Sequence, residues 1–161
     1  MVITRTRKIT LAIVLTAVAI ALSPIYFPIG PTKCFPWQHM VNGIAGVLLG
    51  PWYAAAMAVA AGVVRNMLGV GTLFAFPGGI PGALVVGLTY QYLIKQDYAA
   101  LTEPIGTGLI GAAISALILG PMIGVTMALD AFIIAFSASS IPGSVAGFFV
   151  IIALRRSGLP F

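Results

Sequence analysis

The chain has 161 residues, 60% of them hydrophobic and 7% charged, with a net charge of +5 and a mean hydropathy of +1.12. Soluble domains carry about a quarter charged residues, so this balance excludes one and leaves an integral membrane protein. At about 20 residues per crossing the length accommodates about six helices joined by short connections, so a single domain over 1–161 is expected, with no separate soluble part.

The first helix is expected over 7–23, after the basic residues Arg5, Arg7 and Lys8. A basic start, an apolar run over 9–22 and Ala19-Ile20-Ala21 also fit a cleaved signal, but the downstream chain is equally apolar, which favours a retained helix. Ala12, Thr16, Ala19 and Ser23 form a small-residue stripe that serves either packing within the bundle or docking against a partner helix. Pro24, Pro28, Gly30 and Pro31 then break the chain into a loop, placed outside if the N-terminus is inside.

The second helix is expected over 37–49, with Pro36 near its first turn. Gln38, His39 and Asn42 then share one face within an arc of roughly 100°. His39, Gly43, Gly46 and Gly50 make the adjacent stripe, where small residues let another helix approach closely. Gly50-Pro51 turns the chain on the cytoplasmic side, and an alanine-rich third helix over 52–68 ends with Arg65 and Asn66 near the outer surface. Residues 69–79 are expected as a second outer loop, 80–95 as the fourth helix with Lys95 inside, and 96–103 as an ordinary hydrophilic cytoplasmic loop. The fifth helix starts at Pro104 and ends near Gly120-Pro121. For 122–156 an outer loop plus one helix is preferred to two short helices, because two would put Arg155 and Arg156 outside, against the charge rule. The expected fold is thus an all-α, multi-pass six-helix bundle with both termini cytoplasmic.

An internal echo accompanies this plan. Ala75-Phe76-Pro77-Gly78-Gly79-Ile80-Pro81-Gly82 precedes the helix ending at Lys95, and Ala135-Phe136-Ser137-Ala138-Ser139-Ser140-Ile141-Pro142-Gly143 precedes the one ending at Arg155-Arg156. Each is expected to present a helix N-terminus to the outside, as transporters do when they build sites from repeated elements.

Catalysis is poorly supplied. The carboxylates are Asp97, Glu103 and Asp130, and the first two fall in the expected cytoplasmic loop, so neither a carboxylate pair nor a metal cluster assembles and no metal or other cofactor is expected. Cys34 with His39 is a weak candidate nucleophile pair across a proline break, and the lone cysteine closes no internal disulfide. No G-x-x-x-x-G-K-[ST] occurs, so uphill movement would draw on a partner or an ion. The basic residues sit at segment ends and no basic patch interleaves with aromatics, so no nucleic-acid partner is expected.

Polar and aromatic groups gather instead at the outer end. Trp37, Gln38, His39 and Asn42 come from the second helix, Arg65, Asn66, Thr72 and Phe76 from the third and its loop, and Asp130, Phe136, Ser137 and Ser140 from the last stretch. Aromatic walls with a few placed donors and acceptors are what a small-molecule pocket needs. Headgroup anchoring is the competing role for Trp37, Trp52, Tyr53 and the snorkelling Lys33. Charges inside membrane segments have partners and roles, so Arg65 and Asp130 either pair across the outer rim or bind ligand directly.

Three stretches carry a family resemblance: P-T-K-C-F-P-W-Q-H-M-V-N-G-I-A-G-V-L-L-G-P-W-Y-A from Pro31, R-N-M-L-G-V-G-T-L-F-A-F-P-G from Arg65, and E-P-I-G-T-G-L-I-G from Glu103. With them the chain resembles the substrate-binding S components of energy-coupling-factor (ECF) vitamin importers, most closely the ThiW group, thought to take up the thiazole precursor of thiamine. Ile44 stands where the shared ending of the second helix has Leu. The resemblance implies a six-helix bundle in a prokaryotic cytoplasmic membrane, an outward site, a partner transmembrane subunit and a pair of cytoplasmic ATPases. It also implies docking of that subunit on the first helix, here Ala12, Thr16 and Ala19, with Thr16 departing from a strict Ala-x-x-x-Ala.

Hydroxyethylthiazole is the ligand so implied, with Trp37 or Phe76 stacking on its ring and Gln38, His39 or Asn42 bonding its nitrogen or hydroxyl. Lys33 and Arg65 keep the phosphorylated thiazole open as a ligand. A membrane enzyme using His39 and Asp130, and a purely structural membrane subunit, are the readings from other classes.

Overall fold

The computed structural model describes residues 4–30 and 32–158; Pro31, counted above among the loop breakers, lies outside the described residues. The chain is mostly helical. Its elements are α1 (Arg5–Ala21), a hairpin of β1 (Phe27–Ile29) and β2 (Thr32–Cys34), α2 (Pro36–Leu49), α3 (Pro51–Met67), α4 (Ala75–Leu88), α5 (Asp97–Met122) and α6 (Leu129–Arg156). A wide π turn, Thr89–Leu93, prolongs α4. Among the described residues these are six helices, and α5 and α6, at 26 and 28 residues, are long and apolar enough to cross a bilayer.

Prolines and glycines punctuate the chain where backbone chemistry requires. Pro36 and Pro51 open α2 and α3, where a missing N–H costs nothing. Gly50 joins the two helices with φ +90°, a conformation that a side chain would strain. In the hairpin Phe27 pairs with Cys34, Pro28 with Lys33 and Ile29 with Thr32.

Helix α2 lies at the centre, packed against α1, α3, α4 and α6. Glycines set how near its neighbours come. A Cβ at Gly46 would stand 2.5 Å from Val86 Cγ1 on α4, and one at Gly147 would stand 2.8 Å from the Met40 carbonyl oxygen. The glycine stripe of α2 thus packs inside the bundle. One half of the core is small and aliphatic, with Val41, Ala45, Leu49, Ala54, Ala58 and Ala61 buried together. The other carries an aromatic stack, Phe74 on Phe132 at 5.0 Å and Phe132 on Phe136 at 5.7 Å. Large apolar side chains face outward, Trp52 being 75% exposed, as a lipid-facing surface allows.

Several boundaries differ from those expected. Helix α4 starts at Ala75 and takes in the second half of the expected 69–79 loop. Pro77 falls in its first turn, where the N–H has no intrahelical partner, and Pro81 is tolerated inside it. Helix α6 begins at Leu129, so the second echo segment lies within it, with Pro142 inside the helix. The echo segments therefore do not both present N-termini. The stretch 96–103 is no ordinary loop: Asp97–Thr102 is a 3₁₀ turn that opens α5, with Ala99 and Ala100 fully buried.

The basic residues read as topological gather at one end. Lys8 and Lys95 line a recess beside Gly50 and Tyr90, and Arg155 there pairs with Asp97 at 2.6 Å.

Candidate functional site

Away from that end, β2, α2, α3, α4, α5 and α6 converge on one cavity. Thr32 and Lys33 line it from the hairpin, Phe35, Gln38 and His39 from the start of α2, Arg65 from the end of α3, Thr72 and Phe74 from the following loop, Thr107 from α5, and Phe136 and Ser139 from α6. Its free volume is about 30 Å³. That accommodates water but not a heterocyclic ring.

A continuous polar chain runs behind the wall. Arg65 Nη1 donates to Gln38 Oε1 (3.0 Å), Gln38 Nε2 donates to Asn42 Oδ1 (3.1 Å), and Asn42 Nδ2 donates to Glu103 Oε1 (3.1 Å) and to the Gly79 carbonyl (3.0 Å). The same Glu103 oxygen lies 2.7 Å from His39 Nδ1 and 2.7 Å from Thr107 Oγ1. Thr107 Oγ1 is also 2.6 Å from the Gly78 carbonyl, so its single proton serves one acceptor at a time. A fully buried carboxylate is costly unless its lone pairs are met. Here three neighbours crowd one oxygen of Glu103, while Oε2 has no partner among the described residues.

The two Ile-Pro-Gly elements of the echo explain how the pair fits. A Cβ at Gly82 would run into Glu103 Oε1 and Thr107 Oγ1, and one at Gly143 would run into the Pro36 carbonyl and stand 2.7 Å from His39 Cβ. One glycine makes room beside each partner. In the turn before Pro81, the Thr107 and Asn42 side chains reach the carbonyls of Gly78 and Gly79.

Arg65 is 1% exposed and its guanidinium lies 3.6 Å above the Phe35 ring. Lys33 Nζ donates to the Val70 carbonyl (3.2 Å) and sits 4.6 Å over the Tyr26 ring. The hairpin is tethered at its end as well. Cys34 Sγ donates to the Ala135 carbonyl (3.2 Å), and burial pushes its thiol up to about 11. Cys34 therefore stays a neutral thiol at physiological pH, apart from His39, whose Nδ1 is taken by Glu103.

A family model described as thiamine-precursor transporter protein (ThiW) matches residues 9–157. The chain belongs to the ThiW family. A comparison with curated proteins returned no match. ThiW is a transporter family, so the chain is a membrane transporter protein and not an enzyme.

Against that identity, the expected site residues divide by position. Gln38, His39, Arg65, Thr72 and Phe136 line the cavity, and Asn42 stands directly behind it in the polar chain. Trp37 does not line it; its indole N–H donates to the Ile25 carbonyl (3.1 Å) and pins the segment before the hairpin. Phe76 points the other way, against Gly62 and an apolar recess shared with Leu73 and Ile80, because position 76 falls on the opposite face of the first turn of α4. Asn66 ties its own turn through the Gly62 and Thr72 carbonyls. Ser137 meets Gly108 on α5, and Ser140 is fully buried outside the cavity lining.

Asp130 is exposed at the start of α6, where it accepts from the Ala131 N–H (2.8 Å). It does not pair with Arg65: among the described residues Glu103 contacts His39, and Asp97 pairs with Arg155. On α1, Ala19 is packed inside the core, whereas Ala12 and Thr16 line an open apolar groove between α1 and α3.

Sequence reasoning missed Glu103 and Thr107, and with them the aromatic wall of Phe35 and Phe74. Glu103 sat inside a quoted stretch, E-P-I-G-T-G-L-I-G, whose small residues at 106, 108 and 111 were the available signal. A carboxylate followed by closely packing glycines belongs on a buried helix face. Gly106 meets the backbone of Pro81 and Gly82, and Gly111 that of Pro77.

Proposed function

We propose that the chain is the substrate-binding S component of an energy-coupling-factor importer, and that its cavity takes hydroxyethylthiazole, the heterocyclic precursor of thiamine. The observation that carries this reading is the convergence of Phe35, Phe74 and Phe136 with Gln38, His39 and Arg65 on one buried cavity, in a chain of a thiamine-precursor transporter family. The aromatic rings would sandwich the thiazole, and the polar groups would hold its nitrogen and hydroxyl. His39 is oriented for this by Glu103, which takes Nδ1 and leaves Nε2 for the ligand. Of the remaining expected site residues, Thr72 completes the rim, while Asn42 acts by holding Gln38.

The cavity opens outward in this reading. The basic end, with Lys8, Lys95 and Arg155, faces the cytoplasm of a prokaryotic cell, and six spans put both termini there. The cavity is too small for the ring as it stands, so the β1–β2 hairpin is the gate: Thr32 and Lys33 form its underside, and Trp37, Lys33 and Cys34 hold it down. The chain has no phosphate-binding loop, so the energy comes from a partner transmembrane subunit with two cytoplasmic ATPases. The α1–α3 groove at Ala12 and Thr16 is the docking face for that subunit.

Calorimetric titration of the purified chain with hydroxyethylthiazole tests the substrate assignment, and saturable heat at micromolar ligand is expected. Absence of heat and of any change in tryptophan fluorescence would refute it. Isolation from cells together with ATPase subunits tests the assembly separately.

A further inference from the structure

We infer that the cavity is built to take an anionic ligand group with two coplanar oxygens, a phosphate ester or a carboxylate, and that the side edge of Arg65 is what binds it. This rests on the proposed reading of the cavity as the substrate site and names a chemical class for its occupant.

The charge balance of the wall is the first observation. Lys33 and Arg65 both line the cavity, and no carboxylate does among the described residues. Glu103, the nearest buried acid in the hydrogen-bonded chain, has one oxygen already surrounded by His39, Asn42 and Thr107 and is linked to Arg65 only through Asn42 and Gln38. Its charge is not available to the guanidinium by direct contact.

The geometry of Arg65 is the second. Nη1 is committed to Gln38, and one face of the guanidinium covers Phe35. Nε and Nη2 are buried and have no hydrogen-bond partner among the described residues. Those two N–H groups are the parallel pair along one side of the guanidinium plane, the fork that matches two oxygens of a carboxylate or phosphate. A buried cation whose two donors go unmet carries a large desolvation penalty, and a neutral ring with one hydroxyl offers them only uncharged acceptors, which leave the cation's charge uncompensated. An anionic group meets both and neutralises the charge. Ser139 Oγ, also buried, lining the cavity and unpartnered, supplies a further donor.

The test compares the thiazole alcohol with its phosphate ester, by calorimetry on the full chain in neutral phosphatidylcholine nanodiscs. Two charge-assisted hydrogen bonds predict about 100-fold tighter binding of the ester. In Arg65→Lys, which keeps the charge but loses the fork, the ratio of ester to alcohol affinity falls from about 100-fold towards one. Equal binding of alcohol and ester to the unaltered chain overturns the inference and leaves the thiazole reading standing; this comparison does not depend on any variant folding. If neither thiazole binds, the substrate reading fails, and inorganic phosphate decides the anion site alone. An Arg65-dependent rise in melting temperature, matched against chloride at equal ionic strength, upholds it, and no rise overturns it. A rise that is lost once phosphatidylglycerol is added to the disc assigns the anion to a lipid headgroup and overturns it as a substrate group.

Discussion

Asp97 and Glu103 stand six residues apart at the start of α5, yet they belong to different regions with different physics. Asp97 is at the basic end, partly exposed, paired with Arg155 in a contact that water and salt can screen. Glu103 is completely buried, one oxygen gathers His39, Asn42 and Thr107, and glycines on α4 and α6 clear the space around the pair. The difference shows that hydrophilic sequence near a helix start does not decide depth. What decides it is what arrives from across the bundle: a tyrosine and an arginine in one place, a histidine, an amide and two close-packing glycines in the other.

Breaking the buried side should have the largest effect. Glu103→Ala leaves His39 and Asn42 without their shared acceptor and is expected to cost about 3–5 kcal/mol, read as reduced thermal stability in detergent. Stability close to that of the unaltered chain would mean that the pair is not a structural keystone. Gly82→Ala keeps every polar group but drives a methyl into Glu103 and Thr107, and an overpacking loss of about 1–3 kcal/mol is expected. Ligand titration of the same variant should show weakened binding, since His39 is oriented by the displaced carboxylate. The basic end should respond least. Asp97→Asn removes a half-exposed pair worth less than about 1 kcal/mol, with ligand affinity unchanged. A larger loss there would erase the contrast between the two regions.

How much of this was legible before the structure follows the same division. Helix number, the Gly50 turn and the grouping of Gln38, His39 and Asn42 on one face were readable, because apolar periodicity and glycine or proline punctuation are local signals. The cavity was readable in part: Gln38, His39, Arg65, Thr72 and Phe136 do meet, although they come from α2, α3, α6 and a loop. Glu103 was hidden because its burial depends on long-range packing by Gly82 and Gly106, which no window around residue 103 reports. Phe76 and Phe74 were confused for a simpler reason. Moving the start of α4 to Ala75 changes which aromatic faces the cavity, and helix starts are the least determinable feature of a sequence. The Ile-Pro-Gly echo was visible, but its meaning was not: the repeated element places glycines beside a buried acid and a buried histidine rather than two helix ends toward solvent.

The three tethers of the hairpin, from Trp37, Lys33 and Cys34 to the Ile25, Val70 and Ala135 carbonyls, have a kinetic consequence. On the gate proposed above, a ring would enter a cavity with space for water alone only after the hairpin lifts, and lifting would take the same time however much ligand waits outside. Capture would then run at a ceiling rate set by the protein, and release would be gated by the same latch. In the proposed transport role, a slow exit would hold each captured molecule until transport begins.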